Sequence, residues 1–327
     1  MEDCGEGLLE KLRDRSRPGP FLFGTVPPLE GTEEGKVQEQ SRSFAQKHRS
    51  LPVDGYIVYD IQEEKGRTNE PRPMPFRPMM DPAAFAGHLT RDARKDVLVY
   101  KCFAEHTSEP FDQWAERAVS NSGVKAFNLV GGASSSVDYS GPSLEDASRS
   151  LTKRNAGIGG VTIAERHMKK GNEHDTLIKK QNNGFEWFIT QAIYDPDPTI
   201  KMLTDYADRC KQIGQEPKRV VLTFTPCGRQ KTMRFIHWLG VTVPEETESA
   251  IMNADHPADK SVEVLCNCLQ KIIDETKHLD IPLGITVEHV SIFKEEIRCA
   301  FELVRKMQAI LLDSLNKQWN LQVKVGS

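Results

Sequence analysis

The sequence predicts a single (β/α)8 TIM barrel, on three observations. Apolar runs of strand length alternate with helix-length amphipathic segments eight times along the chain. The 327 residues, 38% hydrophobic and 28% charged, are enough for one large α/β domain. The position after the first strand reads Gly24-Thr25-Val26-Pro27-Pro28, without the G-x-G-x-x-G turn that a doubly wound nucleotide-binding sheet would place there. The expected layout is an N-terminal arm over 1–19, a barrel over 20–312 and a tail over 313–327, with extra helices before the last strand.

The arm is charged, ends in Arg17-Pro18-Gly19-Pro20, and reads as a mobile or docking segment. The first strand, 21–26, is stopped by two prolines and followed by a polar helix over 32–48. The second, 55–61, empties into a long loop, 62–78, that holds Arg67, Thr68, Arg72 and Arg77. A patternless loop of that length inside a compact domain points to function or disorder. Asp81-Pro82 starts a short helix. The third strand, 96–102, precedes a helix over 110–121, and the fourth, 126–130, leaves through Gly131-Gly132-Ala133-Ser134-Ser135-Ser136. Such small residues let a ligand approach the backbone, whose N–H groups can cradle a phosphate.

After a helix over 143–154, the fifth strand, 158–163, ends at Glu165-Arg166-His167. A charged helix over 172–183 carries Leu177 and Ile178 as its apolar stripe, closes at Gly184, and hands over to the sixth strand, 187–191. Strand, helix and strand joined this way lie parallel, and parallel barrels bind ligands at the carboxyl ends of their strands. Glu165, His167, Gln191 and Tyr194 all fall just past such ends. A helix over 199–213, the seventh strand at 219–225, helices at 230–239, 244–253 and 259–278, the eighth strand at 283–292 and a long amphipathic helix over 294–312 complete the pattern.

A net charge of −4 offers no basic stripe for nucleic acid. Lys169-Lys170 and Lys179-Lys180 read as solvated helix faces. No run reaches the roughly 20 apolar residues of a membrane span, and the first residues lack the apolar core of a signal peptide, so a cytoplasmic protein is expected. Seven irregularly spaced cysteines fit a reducing compartment. No metal site is expected, because Cys266 and Cys268 on one helix point to nearly opposite faces.

The run E-x-H, a helix ending K-x-x-x-G, then a strand closing in T-Q and followed by Y-D, spans 157–195 and resembles the flavin-binding centre of methylenetetrahydrofolate reductases. The likeness continues more weakly from about 20 to 312. It implies FAD as cofactor, NADPH or NADH as reductant, and a folate-type substrate reduced from the 5,10-methylene to the 5-methyl form. It assigns Glu173 and Lys180 to the flavin ribityl and phosphate groups, with Gly131 and Gly132 beside the cofactor, and gives Gln191 to the pterin, whose edge suits an amide's paired donor and acceptor.

The departures from the family pattern are as informative. Gly24 stands where the family places its general-acid glutamate, and glycine transfers no proton. Leu129-Val130-Gly131-Gly132 replaces L-R-G-D, and Ile163 replaces a tyrosine. The family's strand-three histidine falls on Tyr100, Lys101 or Cys102. Substitute acids and bases are Asp60, Glu63, Glu105, His106, Glu288 and His289. The alternative expectation is a non-catalytic barrel acting as a binding or structural module in a larger assembly, through the arm or tail or as a homo-oligomer.

Overall fold

A computed structural model describes residues 7–64, 68, 70–104, 109–132 and 140–325, with side chains up to 314. Its centre is a closed ring of eight parallel strands in sequence order. They are β1 (Phe21–Thr25), β2 (Gly55–Val58), β3 (Asp96–Cys102), β4 (Ala126–Val130), β5 (Gly157–Thr162), β6 (Trp187–Ala192), β7 (Arg219–Phe224) and β8 (Leu283–Val287). The ring closes where Phe21, Leu22 and Phe23 pair with Ile285, Thr286 and Val287.

Around it lie α1 (Leu8–Arg13), α2 (Glu34–His48), α3 (Pro82–Ala93), α4 (Phe111–Ser120), α5 (Leu144–Thr152), α6 (Ala164–Lys170), α7 (Glu173–Asn182), α8 (Pro196–Gln212), α9 (Gln230–Trp238), α10 (Glu245–Met252), α11 (Pro257–Thr276) and α12 (Lys294–Val325). The expected extra helices before the last strand are α10 and α11. Among the described residues no helix is long and apolar enough to cross a membrane, and the described cysteines form no disulfide with one another.

Strand alternation sorts the core into two shells. Leu22, Ile57, Leu98, Tyr100, Ala126, Trp187, Ile189 and Val221 fill the lumen, whereas Phe23, Val58, Val99, Phe127, Phe188, Leu222 and Val287 pack outward against the helices. Glycine is obligatory at Gly159, where a Cβ would collide with the Trp187 indole laid across it. That ring plugs the lower half of the lumen.

Of the two expectations for the arm, mobile or docking, its described part, from residue 7, takes the docked form, against the barrel itself. Leu8 and Leu12 of α1 join the lumen cluster and stopper the amino-terminal end of the barrel. Polar ties ring the stopper: Leu8 N donates to Asp96 Oδ2 at 2.8 Å, Arg13 Nη2 to Glu186 Oε1 at 2.8 Å and Arg15 Nη2 to Asp280 Oδ2 at 3.1 Å. Arg219, only 2% exposed, sits beside the stopper with its guanidinium facing main-chain carbonyls. At the other terminus, α12 runs on to Val325, beyond the 312 boundary read from the apolar pattern.

His48, at the end of α2, is 5% exposed and stacked on Phe44 with ring centroids 3.8 Å apart. Burial pushes its pKa from 6.5 down to about 4, helped by His289 and Lys47 and opposed by the Phe44 carbonyl. The unfolded chain therefore takes up a proton near pH 6.5 that the folded chain refuses until about pH 4. Stability is intact above the higher value and drains away as pH falls towards the lower, by on the order of 3 kcal/mol. Urea unfolding of His48→Phe at pH 7.5 and 4.5 should show a flatter acid limb than the parent; an unchanged limb refutes the assignment.

Candidate functional site

The carboxyl ends of the strands open on one face, and the inward positions there are Gly24, Tyr59, Gln191 and Glu288. A Cβ at Gly24 would stand 2.6 Å from Tyr59 Cε2 and 3.0 Å from Glu288 Cβ. Tyr59 and Glu288 therefore occupy the space that a side chain at position 24 would need. The Tyr59 hydroxyl and the Glu288 side chain flank that same space, and the Tyr59 ring packs edge-on against Tyr100 at 4.7 Å.

Burial pushes the Glu288 pKa upward, with the Tyr59 hydroxyl opposing in part. Burial also carries the Tyr59 and Tyr100 hydroxyls well above their ordinary range, and the Glu288 charge adds to both. The trio is a carboxylic acid that keeps its proton to higher pH than an exposed glutamate, flanked by two phenols that stay protonated. Such a group can donate a proton to a ligand at the mouth.

A second wall is built around the turn after α9. Gln191 Nε2 donates to Leu239 O at 2.6 Å, and Glu165 Oε1 accepts from Thr242 N at 3.4 Å. Glu165 and Gln191 thus meet the same turn. That bond takes one Nε2 hydrogen, so the amide can still offer a ligand its second N–H together with Oε1. Burial raises the Glu165 pKa as well.

The loop after β2 reaches this wall. Trp238 Nε1 donates to Glu70 O at 3.2 Å, and the Arg72 guanidinium lies 4.9 Å from the Trp238 ring centroid and 5.4 Å from that of Phe235. The long loop singled out in the sequence thus links the end of β2 to α9.

Glu173 and Lys180 serve the barrel wall. Glu173 Oε1 accepts from Thr162 Oγ1 at 3.2 Å and from Ile163 N at 3.1 Å. Thr162 in turn touches Met202 of α8 at 3.1 Å, which puts the pair in the layer between strand and helices. Lys180 Nζ donates to Val161 O at 2.6 Å, and burial lowers its pKa while Glu173 partly restores it. Both side chains are spent on the backbone at the end of β5, an arrangement that does not fit a role in holding flavin ribityl and phosphate groups.

At the end of β4, a Cβ on Gly131 would meet, among the described residues, only Phe103 Cζ at 3.8 Å, with Gly132 next to it. The following Ala133, Ser134, Ser135 and Ser136, like Arg67, Glu105 and His106, lie outside the described residues.

Of the other substitute groups, Asp60 is held by Lys101 at 3.3 Å and the Cys102 amide at 2.9 Å. His289 turns outward from the lumen, with Nδ1 2.9 Å from Ser291 O and its ring 5.9 Å from Phe23. Sequence reasoning passed over Tyr59. The signal was its alternation with inward Ile57 and its place one residue beyond the strand.

No family model and no curated protein matches the chain. A solved structure from Clostridium thermocellum does, an uncharacterized protein that binds two copies of 5-methyl-5,6,7,8-tetrahydrofolic acid. The two are 29% identical at a TM-score of 0.77, over 93% of this chain and 100% of that one. The complex structure of a GH113 β-1,4-mannanase matches 89% of this chain and 97% of its own, at 11% identity and a TM-score of 0.50. That second likeness shows the barrel alone.

Proposed function

We propose that this barrel binds a tetrahydrofolate at its mouth, with the pterin between Gln191 and Glu288 and with Glu288 as its proton donor. The observation that carries the reading is the end-to-end likeness to a barrel that binds 5-methyltetrahydrofolate. The mouth geometry supports it chemically. A pterin edge pairs donors with acceptors, and here it meets the Gln191 amide on one side and a protonated carboxyl on the other. The acid missing at Gly24 is replaced from the neighbouring strand, so loss of the family's glutamate does not remove proton-transfer chemistry.

The finer form of the reading is reduction of 5,10-methylenetetrahydrofolate with FAD and NADH or NADPH, as the family resemblance implies. Gln191 and Glu288 support its folate side. Glu173 and Lys180, bound to the β5 backbone, do not support its flavin side. An absorbance spectrum separates the two forms: a yellow protein bleached by NADH or NADPH is the reductase, and a colourless one is a folate barrel without flavin.

Calorimetric titration with 5-methyltetrahydrofolate is expected to give saturable binding. Gln191→Leu should weaken it about tenfold, the worth of one net hydrogen bond. Absence of saturable heat with the parent protein overturns the folate reading.

A further inference from the structure

Outside the mouth, the two helices between β5 and β6 and the helix after β6 bring metal-ligating side chains together. We propose that His167 of α6, His174 of α7 and Asp205 of α8 form a binding site for a divalent transition-metal ion of the zinc type. Each residue offers one donor atom, and the three atoms lie within 4.8 Å of one another.

The state of the two imidazoles sets this cluster apart from a plain helix staple. His167 is 3% exposed, with Nε2 2.7 Å from Asp205 Oδ2. Its Nδ1 is buried and without a partner. His174 Nε2 stands 3.8 Å from Asp175 Oδ2, beyond hydrogen-bond distance, and its Nδ1 is likewise buried without a partner. The two rings stand perpendicular with centroids 5.2 Å apart. A staple alone explains the 2.7 Å bond but neither orphaned nitrogen.

Two imidazoles and a carboxylate suit zinc and its transition-metal neighbours over magnesium or calcium, and a water completes the four positions. Ligands of one tetrahedral ion stand roughly 3.4 Å apart, so the His167–Asp205 pair, now at 2.7 Å, must open while His174 draws in. The His174 side chain, 19% exposed, has room to move inward. Lys201 Nζ, now 2.5 Å from Asp205 Oδ2, must leave; its side chain is 58% exposed and can swing into solvent. Bound metal would join α6, which carries Glu165, to α7 and α8, and so stiffen the crossover beneath the mouth.

The test uses the full chain, stripped with a chelator and titrated with Co(II). The expected result is a visible d–d band of tetrahedral intensity that saturates at one equivalent and disappears on adding Zn(II). His174→Gln and Asp205→Asn should each weaken Co(II) binding at least about tenfold, and His237→Gln, at an exposed pair with Glu248, should leave it unchanged. Cobalt that keeps the spectrum of the aquo ion, or a band that survives in His174→Gln, overturns the proposal.

Discussion

Arg219→Met is expected to be the most damaging single substitution in the molecule, costing about 3–5 kcal/mol. Arg219 opens β7 and donates to Leu12 O at 3.3 Å, Arg17 O at 3.1 Å and Leu283 O at 3.2 Å, and also to the carbonyls of Asp14 and Gly19. One guanidinium thus satisfies main-chain acceptors from the α1 stopper, the turn after it and β8. Burial pulls its pKa down to about 10, which still leaves it charged at neutral pH.

Methionine fills much of the volume but donates nothing, so those carbonyls would be buried without partners. Arg219→Lys should fall between the two, because an ammonium has three donors in place of a five-donor fork. Urea unfolding at pH 7 measures the loss, and tryptic cleavage after Arg13 or Arg15 should accelerate as α1 lifts away. A midpoint unchanged in Arg219→Met refutes this account.

Glu288→Gln should separate binding from chemistry. The amide keeps the shape and the Tyr59 contact, so folate affinity should stay within a few-fold. Any turnover that needs a proton should fall about 10²–10⁴-fold. In the parent, activity should decline as pH rises through the raised Glu288 pKa, because the donor is then ionised.

The same substitution has a stability signature of unusual sign. Below about pH 4.5 the carboxyl is protonated whether the chain is folded or not, and stability is complete. As pH rises, the unfolded chain releases the proton first. Stability is therefore lost until the raised folded pKa is reached, at about 1.4 kcal/mol for each pH unit separating the folded and unfolded values. A paired surface carboxylate does the reverse. Glu288→Gln should therefore be more stable than the parent at pH 8 and equal to it at pH 4. Equal melting temperatures at both pH values would show that Glu288 is not desolvated.

The barrel itself was legible. Runs such as Asp96–Cys102 and Arg219–Phe224 are short, β-branched and bounded by turn residues, and their eightfold alternation with helices leaves little choice of fold. The stopper was harder to see. Leu8 and Leu12 stand one helical turn apart, but they lie among charges and carry no sign of the lumen they enter.

Glu288 was one of six substitute acids and bases. Choosing it requires knowing that β8 closes onto β1 and that position 288 faces inward beside Gly24, and both facts come from register across the ring. For Glu173 and Lys180 motif spacing gave the right helix. The direction of each side chain was decided by the buried backbone at the end of β5, which local sequence does not encode.

The floor of the barrel has a consequence for biosynthesis. The stopper precedes in the chain every group that seats it, Asp96, Glu186, Arg219 and Asp280, which emerge in turn over most of the following sequence. It thus leaves the ribosome well before its seat is complete. A nascent chain halted before β8 would hold an unsealed ring, open to chaperones and proteases at its base until β8 had been translated.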